Sequence, residues 1–224
     1  MCQKNSQETK MASNVNPAED NISAKRMGKI ALFDMDGSLA NFDDAMRNGL
    51  EAMRAPQEPP IPDDLWDMEK MPHIAERMRL IKSEPSWWRK LGRIDEGFQV
   101  MTWAREIGYH IDILTKGPAA HPMGWAEKMQ WCQDHVEKPF DTHITQNKGL
   151  VYGTMLYDDF PDYVLAWLEH RPRGLVIMPY TRSNEEFCHP QVLRWDGTNG
   201  GMVRFAMRQA FLREPGQPLI LPEF

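Results

Sequence analysis

Short apolar runs of strand length alternate along the chain with longer stretches whose apolar residues recur at helical spacing. "KIALFDMD" (29–36), "YHIDILTK" (109–116), "DTHITQ" (141–146), "GTMLYDD" (153–159) and "GLVIMPY" (174–180) read as strands. "DEGFQVMTWAREIG" (95–108), "HPMGWAEKMQWCQDHV" (121–136), "FPDYVLAWLEH" (160–170) and "GMVRFAMRQAFLRE" (201–214) read as amphipathic helices. Strands alternating with helices predict a parallel sheet joined by right-handed crossovers, in a Rossmann-like three-layer α/β fold.

One interval breaks the alternation. The first strand and the second are separated by roughly 70 residues, far more than a crossover needs. Residues 43–94 carry two helical patterns, "FDDAMRNGLEAMRA" and "DLWDMEKMPHIAERMRLIK", around the proline cluster "QEPPIPDD". This predicts a small helical cap inserted after the first strand, with the core formed by 28–42 and 95–214. The polar stretch 1–27 is expected to be a disordered tail, and the Pro-rich 215–224 a C-terminal tail.

Composition narrows the partners. The 224 residues carry 26 Lys and Arg against 32 Asp and Glu, a formal net charge of −6. No global basic field points to nucleic acid, and no apolar run approaches a membrane span. Three widely spaced cysteines (Cys2, Cys132, Cys188) fit a reducing, cytoplasmic setting better than a disulfide framework. The expected partner is a small molecule, with no nucleic acid, no membrane and a homodimer allowed.

In open parallel sheets ligands bind at the carboxyl ends of the strands. The first strand ends in "DMDG", which aims Asp34 and Asp36 to one side. Two buried like charges repel unless a cation or a shared proton intervenes. The second strand ends in "LTKG" with Thr115 and Lys116, the fourth in Asp158 and Asp159, and Lys148 follows the third. Carboxylates, a hydroxyl and ammonium groups converging on one crevice suit phosphoryl transfer. Asp34 and Asp158 could hold Mg²⁺, which prefers oxygen ligands, and Asp34 could attack phosphorus. Asp36 stands where it could protonate the leaving oxygen and later activate water. Thr115 and Lys148 could neutralise the phosphoryl oxygens.

"DMDGS", "ILTKG", Lys148 and "YDDFPD" resemble, in order, the four motifs of haloacid-dehalogenase-superfamily phosphatases. The resemblance implies Asp34 as nucleophile and Asp36 as acid/base, with Asp34, Asp158 and the Asp36 backbone carbonyl as metal ligands and Asp159 behind them. "DMDGSLANF", the helical insert, "GWAEKMQW" (124–131) and "LYDD" are similar to the 5′(3′)-deoxyribonucleotidase family, which dephosphorylates deoxynucleoside monophosphates beneath an aromatic cap. That likeness implies Trp87, Trp88 and Phe42 as base platforms and Lys128 near the phosphate. The chain departs from it at Lys116, where the family commonly has serine. The alternatives are a phosphatase for another small metabolite or a nucleic-acid 3′-phosphate end, and a catalytically silent nucleotide sensor.

Other residues have plainer readings. Adjacent Trp87 and Trp88 point in different directions, so one is expected to pack the cap and the other to meet the base. Trp103, Trp125, Trp131 and Trp167 sit in helical patterns and read as core. Asp43 and Asp44 suit the first turn of a cap helix, and Asp162 the opening of the helix after Pro161. His121, His135 and the pair Cys188-His189 show no metal-ligand spacing.

Overall fold

A computed structural model describes residues 29–62, 65, 68–214 and 216–221; the N-terminal tail expected over 1–27 lies outside the described residues. The strands are β1 (Ile30–Phe33), β2 (His110–Lys116), β3 (Asp141–Thr145), β4 (Met155–Tyr157), β5 (Leu175–Pro179) and β6 (Val192–Trp195). They form one parallel sheet in the order β3-β2-β1-β4-β5-β6. The strands expected near 29–36, 109–116, 141–146, 153–159 and 174–180 are all present with trimmed ends. β6 is an addition. It is a four-residue edge strand that alternates half-buried Val192 and Arg194 with buried Leu193 and Trp195, too short for its periodicity to stand out.

The helices of the core are α3 (Asp95–Ile107), α4 (Pro122–His135), α5 (Pro161–Glu169) and α6 (Gly200–Leu212), all at the expected places. Val100, Met101 and Ala104 of α3, Trp131 and Cys132 of α4, and Val203, Ala206 and Met207 of α6 pack on one sheet face against Phe33, Ile111, Ile113 and Tyr157. On the other face Val164, Trp167 and Leu168 of α5 pack against Leu32, Leu114, Leu156 and Val176. The chain runs outward from β1 to β3, then returns to β4 on the far side of β1 and continues to β6. With right-handed connections, opposite directions of travel place helices on opposite faces. The strand order therefore reverses between β1 and β4, and that crevice is where ligands bind in such sheets.

The insert is helical, as expected. It holds α1 (Phe42–Met53), α2 (Pro72–Lys82) and 3₁₀ turns at Met68–Lys70 and Trp88–Lys90. The second helix begins at Pro72 rather than near residue 64. Pro72 lacks an N–H and holds Met71 extended (φ −87°, ψ 117°), so the helix starts there instead of continuing through. Met46, Leu50, Ile61, Leu65, Ile74, Met78 and Ile81 give the cap its own apolar core. Asn41 accepts from the Asp44 amide at 3.2 Å to cap α1, whose first turn holds Asp43 and Asp44. At the other end of the chain, Leu219 and Leu221 of the expected tail pack against the main core. No described helix is long and apolar enough to cross a membrane.

Candidate active site

The register between β1 and β4 sets Phe33 beside Tyr157, so Asp34 and Asp158 follow as neighbours at the reversal. A tight loop then turns the chain: the Leu39 and Ala40 amides donate to the Met35 carbonyl at 2.8 and 2.7 Å. Gly37 makes this possible. Its φ is +75°, and an added Cβ would lie 2.5 Å from Asp159 Oδ2.

Lys148, on a 3₁₀ turn after β3, inserts its ammonium between two carboxylates, 2.7 Å from Asp34 Oδ1 and 2.8 Å from Asp158 Oδ2. The other Asp158 oxygen accepts from the Phe160 amide at 3.0 Å, and Asp159 accepts from the Ser38 hydroxyl at 3.1 Å. Burial, then the charges of Asp158 and Asp36, push the Asp34 carboxyl up to about 7 although Lys148 pulls the other way. Burial and the neighbouring Asp34 and Asp158 raise Asp159 well above the carboxylate range. Burial opposes the charge on Lys148, but Asp158 and Asp34 outweigh it and hold the ammonium above its ordinary value.

Ligand atoms of Asp34, Asp158 and Asp159 all lie within 4.8 Å of one another. Three converging carboxylates against one ammonium leave an excess of negative charge in a buried place, and the donors are all oxygen. That combination fits a hard divalent cation. Asp159, which the resemblance places behind the ligands, has its carboxylate within the same 4.8 Å group as Asp34 and Asp158.

Asp36 sits across the loop. One of its oxygens receives the Lys128 ammonium; the other, Oδ1, is buried without a hydrogen-bond partner. Lys128 projects from α4, is fully buried, and also donates to Thr115 Oγ1 at 3.1 Å and the Lys116 carbonyl at 2.8 Å. Its ammonium lies 4.3 Å from the centre of the Trp88 ring. Thr115 thus accepts a hydrogen bond from Lys128, and its side chain is wholly buried. Lys116 reaches the cleft, 5.0 Å from the Tyr163 ring centre.

These groups open into a cleft of about 470 Å³ between core and cap. Its polar wall includes Asp34, Asp36, Lys116, Lys148 and Asp159; its aromatic wall is Phe42, Trp88, Phe160 and Tyr163. Of the two tryptophans, Trp88 lines the cleft, whereas Trp87 packs edge-on against Phe42 (ring centres 5.4 Å apart) and the cap core. Trp131 and Trp167 are buried in the core, Trp103 packs at its margin, and Trp125 closes over Gly117 while donating to the Pro118 carbonyl at 3.0 Å.

Several contributors had no individual signal in the sequence. Tyr163 stands over Lys148, 4.6 Å from ring centre to ammonium. Asn184 is buried and donates to the Asp159 carbonyl at 2.9 Å, fixing the backbone behind that carboxylate. Glu127 accepts from the Ser86 amide at 2.7 Å and the Trp88 amide at 3.3 Å, which ties the cap's end to α4. The "FPDY" run after "YDD" was the available clue for Phe160 and Tyr163.

Comparison with known proteins agrees with this geometry. A family model described as 5′ nucleotidase, deoxy (Pyrimidine), cytosolic type C protein matches residues 28–199. A comparison with curated proteins finds no match. Among solved structures, a haloacid-dehalogenase (HAD) family hydrolase from Deinococcus radiodurans R1, with bound phosphate and sodium, aligns over 84% of this chain and 100% of its own at TM-score 0.51 and 10% identity. A HAD hydrolase of family IA, variant 3, from Entamoeba histolytica HM-1:IMSS aligns over 83% and 100% at TM-score 0.51 and 10% identity. At such identities the structures establish a shared fold. The matched span begins two residues before β1 and takes in every element of the site, and the chain belongs to this 5′-nucleotidase family of HAD-type phosphoric monoester hydrolases.

Proposed function

We propose that the protein hydrolyses deoxynucleoside 5′- or 3′-monophosphates with Mg²⁺, through an aspartyl-phosphate on Asp34. The observation that carries this reading is the pairing of Asp34 and Asp36 in one cleft, the first held by Lys148 and the second by Lys128. A binding protein would need neither carboxylate in that position, while a two-step displacement needs both.

Asp34, Asp158 and the Asp36 backbone carbonyl would hold Mg²⁺, with Asp159 beside them. The bound ion supplies charge neutralisation for the phosphoryl group and for the carboxylates that surround it. Asp34 attacks phosphorus as a carboxylate. Asp36 gives a proton to the departing nucleoside oxygen, then takes one from water as that water cleaves the acyl phosphate. Lys148 keeps Asp34 aligned and offers positive charge to the phosphoryl oxygens. Lys116, at the end of β2, completes the phosphate pocket, while the Thr115 hydroxyl, buried beneath it, holds Lys128 in place. Phe42 and Trp88 offer apolar faces to the base, with Phe160 and Tyr163 opposite; Trp87 supports Phe42 from behind. The cleft volume falls within the usual range for small-molecule sites, and the family description favours a pyrimidine base on deoxyribose.

The deciding experiment measures phosphate release from a panel of nucleoside 5′- and 3′-monophosphates with and without Mg²⁺, alongside Asp34→Asn. Metal-dependent release that favours deoxynucleotides and disappears in the variant is the expected result. Turnover of a generic aryl phosphate with none of any nucleotide would keep the chemistry and discard the substrate. Nucleotide binding without any turnover would replace the enzyme by a sensor.

A further inference from the structure

Strands β2 and β3 each carry a histidine and an aspartate two residues apart, in opposite order: His110-x-Asp112 and Asp141-x-His143. The two-residue period of a strand turns both members of each pair to one face. Register sets Asp112 beside Asp141 and Leu114 beside His143. The four side chains therefore share the face of Leu114 at the edge of the sheet, where ligand atoms of His110, Asp112 and Asp141 all lie within 4.8 Å of one another and His143 reaches Asp112 from beside them. Asp34, Asp158 and Asp159 belong to the separate cluster after β1 and β4.

The contacts are close. His110 Nε2 lies 2.9 Å from Asp141 Oδ2 and 3.1 Å from Asp112 Oδ1, and His143 Nε2 lies 2.8 Å from Asp112 Oδ2. Asp112 is the anomaly. Its side chain is 6% exposed, it is flanked by buried Ile111 and Ile113, and its Oδ1 is buried with no hydrogen-bond partner. A carboxylate placed so deep in an apolar strand needs full pairing or a metal ion. Here the hydrogen bonds of the cluster leave one oxygen facing a histidine nitrogen that is already engaged with Asp141.

We propose that His110, Asp112 and Asp141 form a second metal site for a divalent transition ion of the zinc class, with His143 bracing Asp112 from the side. Two carboxylates and a neutral imidazole balance the charge of such an ion. Mixed nitrogen and oxygen donors suit zinc, whereas magnesium prefers oxygen throughout. Tetrahedral bonds of about 2.0–2.1 Å place ligand atoms about 3.4 Å apart, so the contacts of His110 with Asp112 and Asp141 need to open by a few tenths of an ångström. Asp141, 68% exposed at its side chain, provides the way in and leaves the fourth position to water. The ion would tie edge strand β3 to β2 and orphan none of the three groups. It would touch no reacting atom, so this site stands or falls apart from the nucleotidase reading.

The test uses the full chain stripped of metal and then kept in excess Mg²⁺ to fill the catalytic cleft. Co²⁺ is titrated in, and the visible d–d absorption of a tetrahedral ion is followed before displacement by Zn²⁺. One tetrahedral Co²⁺ per chain is expected, with affinity weakened by at least about tenfold in Asp141→Ala and in His110→Ala. Zn²⁺ should raise the Tm of the parent and leave that of Asp141→Ala in place; the exposed Asp141 makes this variant a safe one for folding. A purely octahedral spectrum, or a tetrahedral one unchanged in both variants, would overturn the site. Equal Zn²⁺ shifts in parent and variant would do the same.

Discussion

The Lys128 ammonium is buried against the Asp36 carboxylate, and it reaches there from α4, a helix 92 residues further along the chain. It also donates to Thr115 Oγ1 and the Lys116 carbonyl, which accept. One side chain thus joins the acid/base to the end of β2 where the phosphate pocket is built.

Lys128→Met should cost both activity and stability. Loss of the cation leaves Asp36 unpaired in a half-buried place and orphans two acceptors, a destabilisation on the order of 1–3 kcal/mol. kcat should fall by roughly 10²–10⁴, the range of a misplaced general acid/base. Lys128→Arg should not rescue it, because a fully buried position has no room for a guanidinium. Steady-state kinetics and urea unfolding of both variants check this.

Glu127 acts one residue away through the backbone of the cap. Its carboxylate holds the Ser86 and Trp88 amides, and Ser86 adopts a left-handed φ of 65° that this anchor sustains. Glu127→Ala should loosen the placement of Trp88, raising KM for the nucleotide by about tenfold or more while kcat for a small aryl phosphate changes little. Equal loss of kcat on both substrates would show that the anchor serves the reacting groups instead.

Asp34 makes the metal-free protein less stable as pH rises. Unfolded, its carboxyl ionises near 3.8; folded, near 7. Between those values the folded state binds more protons, so stability declines as pH climbs from about 4 to about 7 and is flat above. Asp34→Asn removes this penalty. Without metal it should exceed the parent by on the order of 4 kcal/mol at pH 8, at about 1.4 kcal/mol per pH unit across that interval, and match it near pH 4. Mg²⁺ should close the gap by stabilising the parent selectively. Thermal unfolding across pH, with and without Mg²⁺, reads both effects.

Gly37→Ala should be severe for its size. The substitution forces a Cβ into a left-handed turn and to 2.5 Å from Asp159 Oδ2. A stability loss on the order of 1–3 kcal/mol is expected with near-complete loss of turnover, since the loop carrying Asp36 must shift. Circular dichroism melting together with phosphate release separates the two losses.

The fold was legible wherever local pattern and burial coincide. Strands β1 and β5 are continuous apolar runs because both sheet faces are covered. β6 escaped notice because an edge strand of four residues carries little periodic signal. The start of the second cap helix was misread because its charged and apolar pattern runs on through residues that Pro72 excludes from the helix.

The site divides in the same way. Asp34, Asp36, Lys148 and Asp158 could be read from order alone, since strand ends are where a parallel sheet presents its chemistry. The closeness of Asp159 to Asp34 and Asp158, Tyr163 over Lys148, and Trp88 rather than Trp87 in the cleft depend on how helices and loops settle against one another. The quartet His110, Asp112, Asp141 and His143 was unread for a related reason: its halves are 31 residues apart and meet only through strand pairing.

The sequence by itself determined the alternation of strand and helix, the cap's insertion point and the acidic strand ends. Those features follow from periodicity and connection length, which act over a few residues. Only the tertiary structure decided which cation meets which carboxylate. Lys148 reaches Asp34 and Lys128 reaches Asp36 because parallel register and helix packing bring distant backbone segments together. Burial there strengthens every charge–charge interaction, so the exact neighbour, and not the residue type, sets what each carboxylate can do.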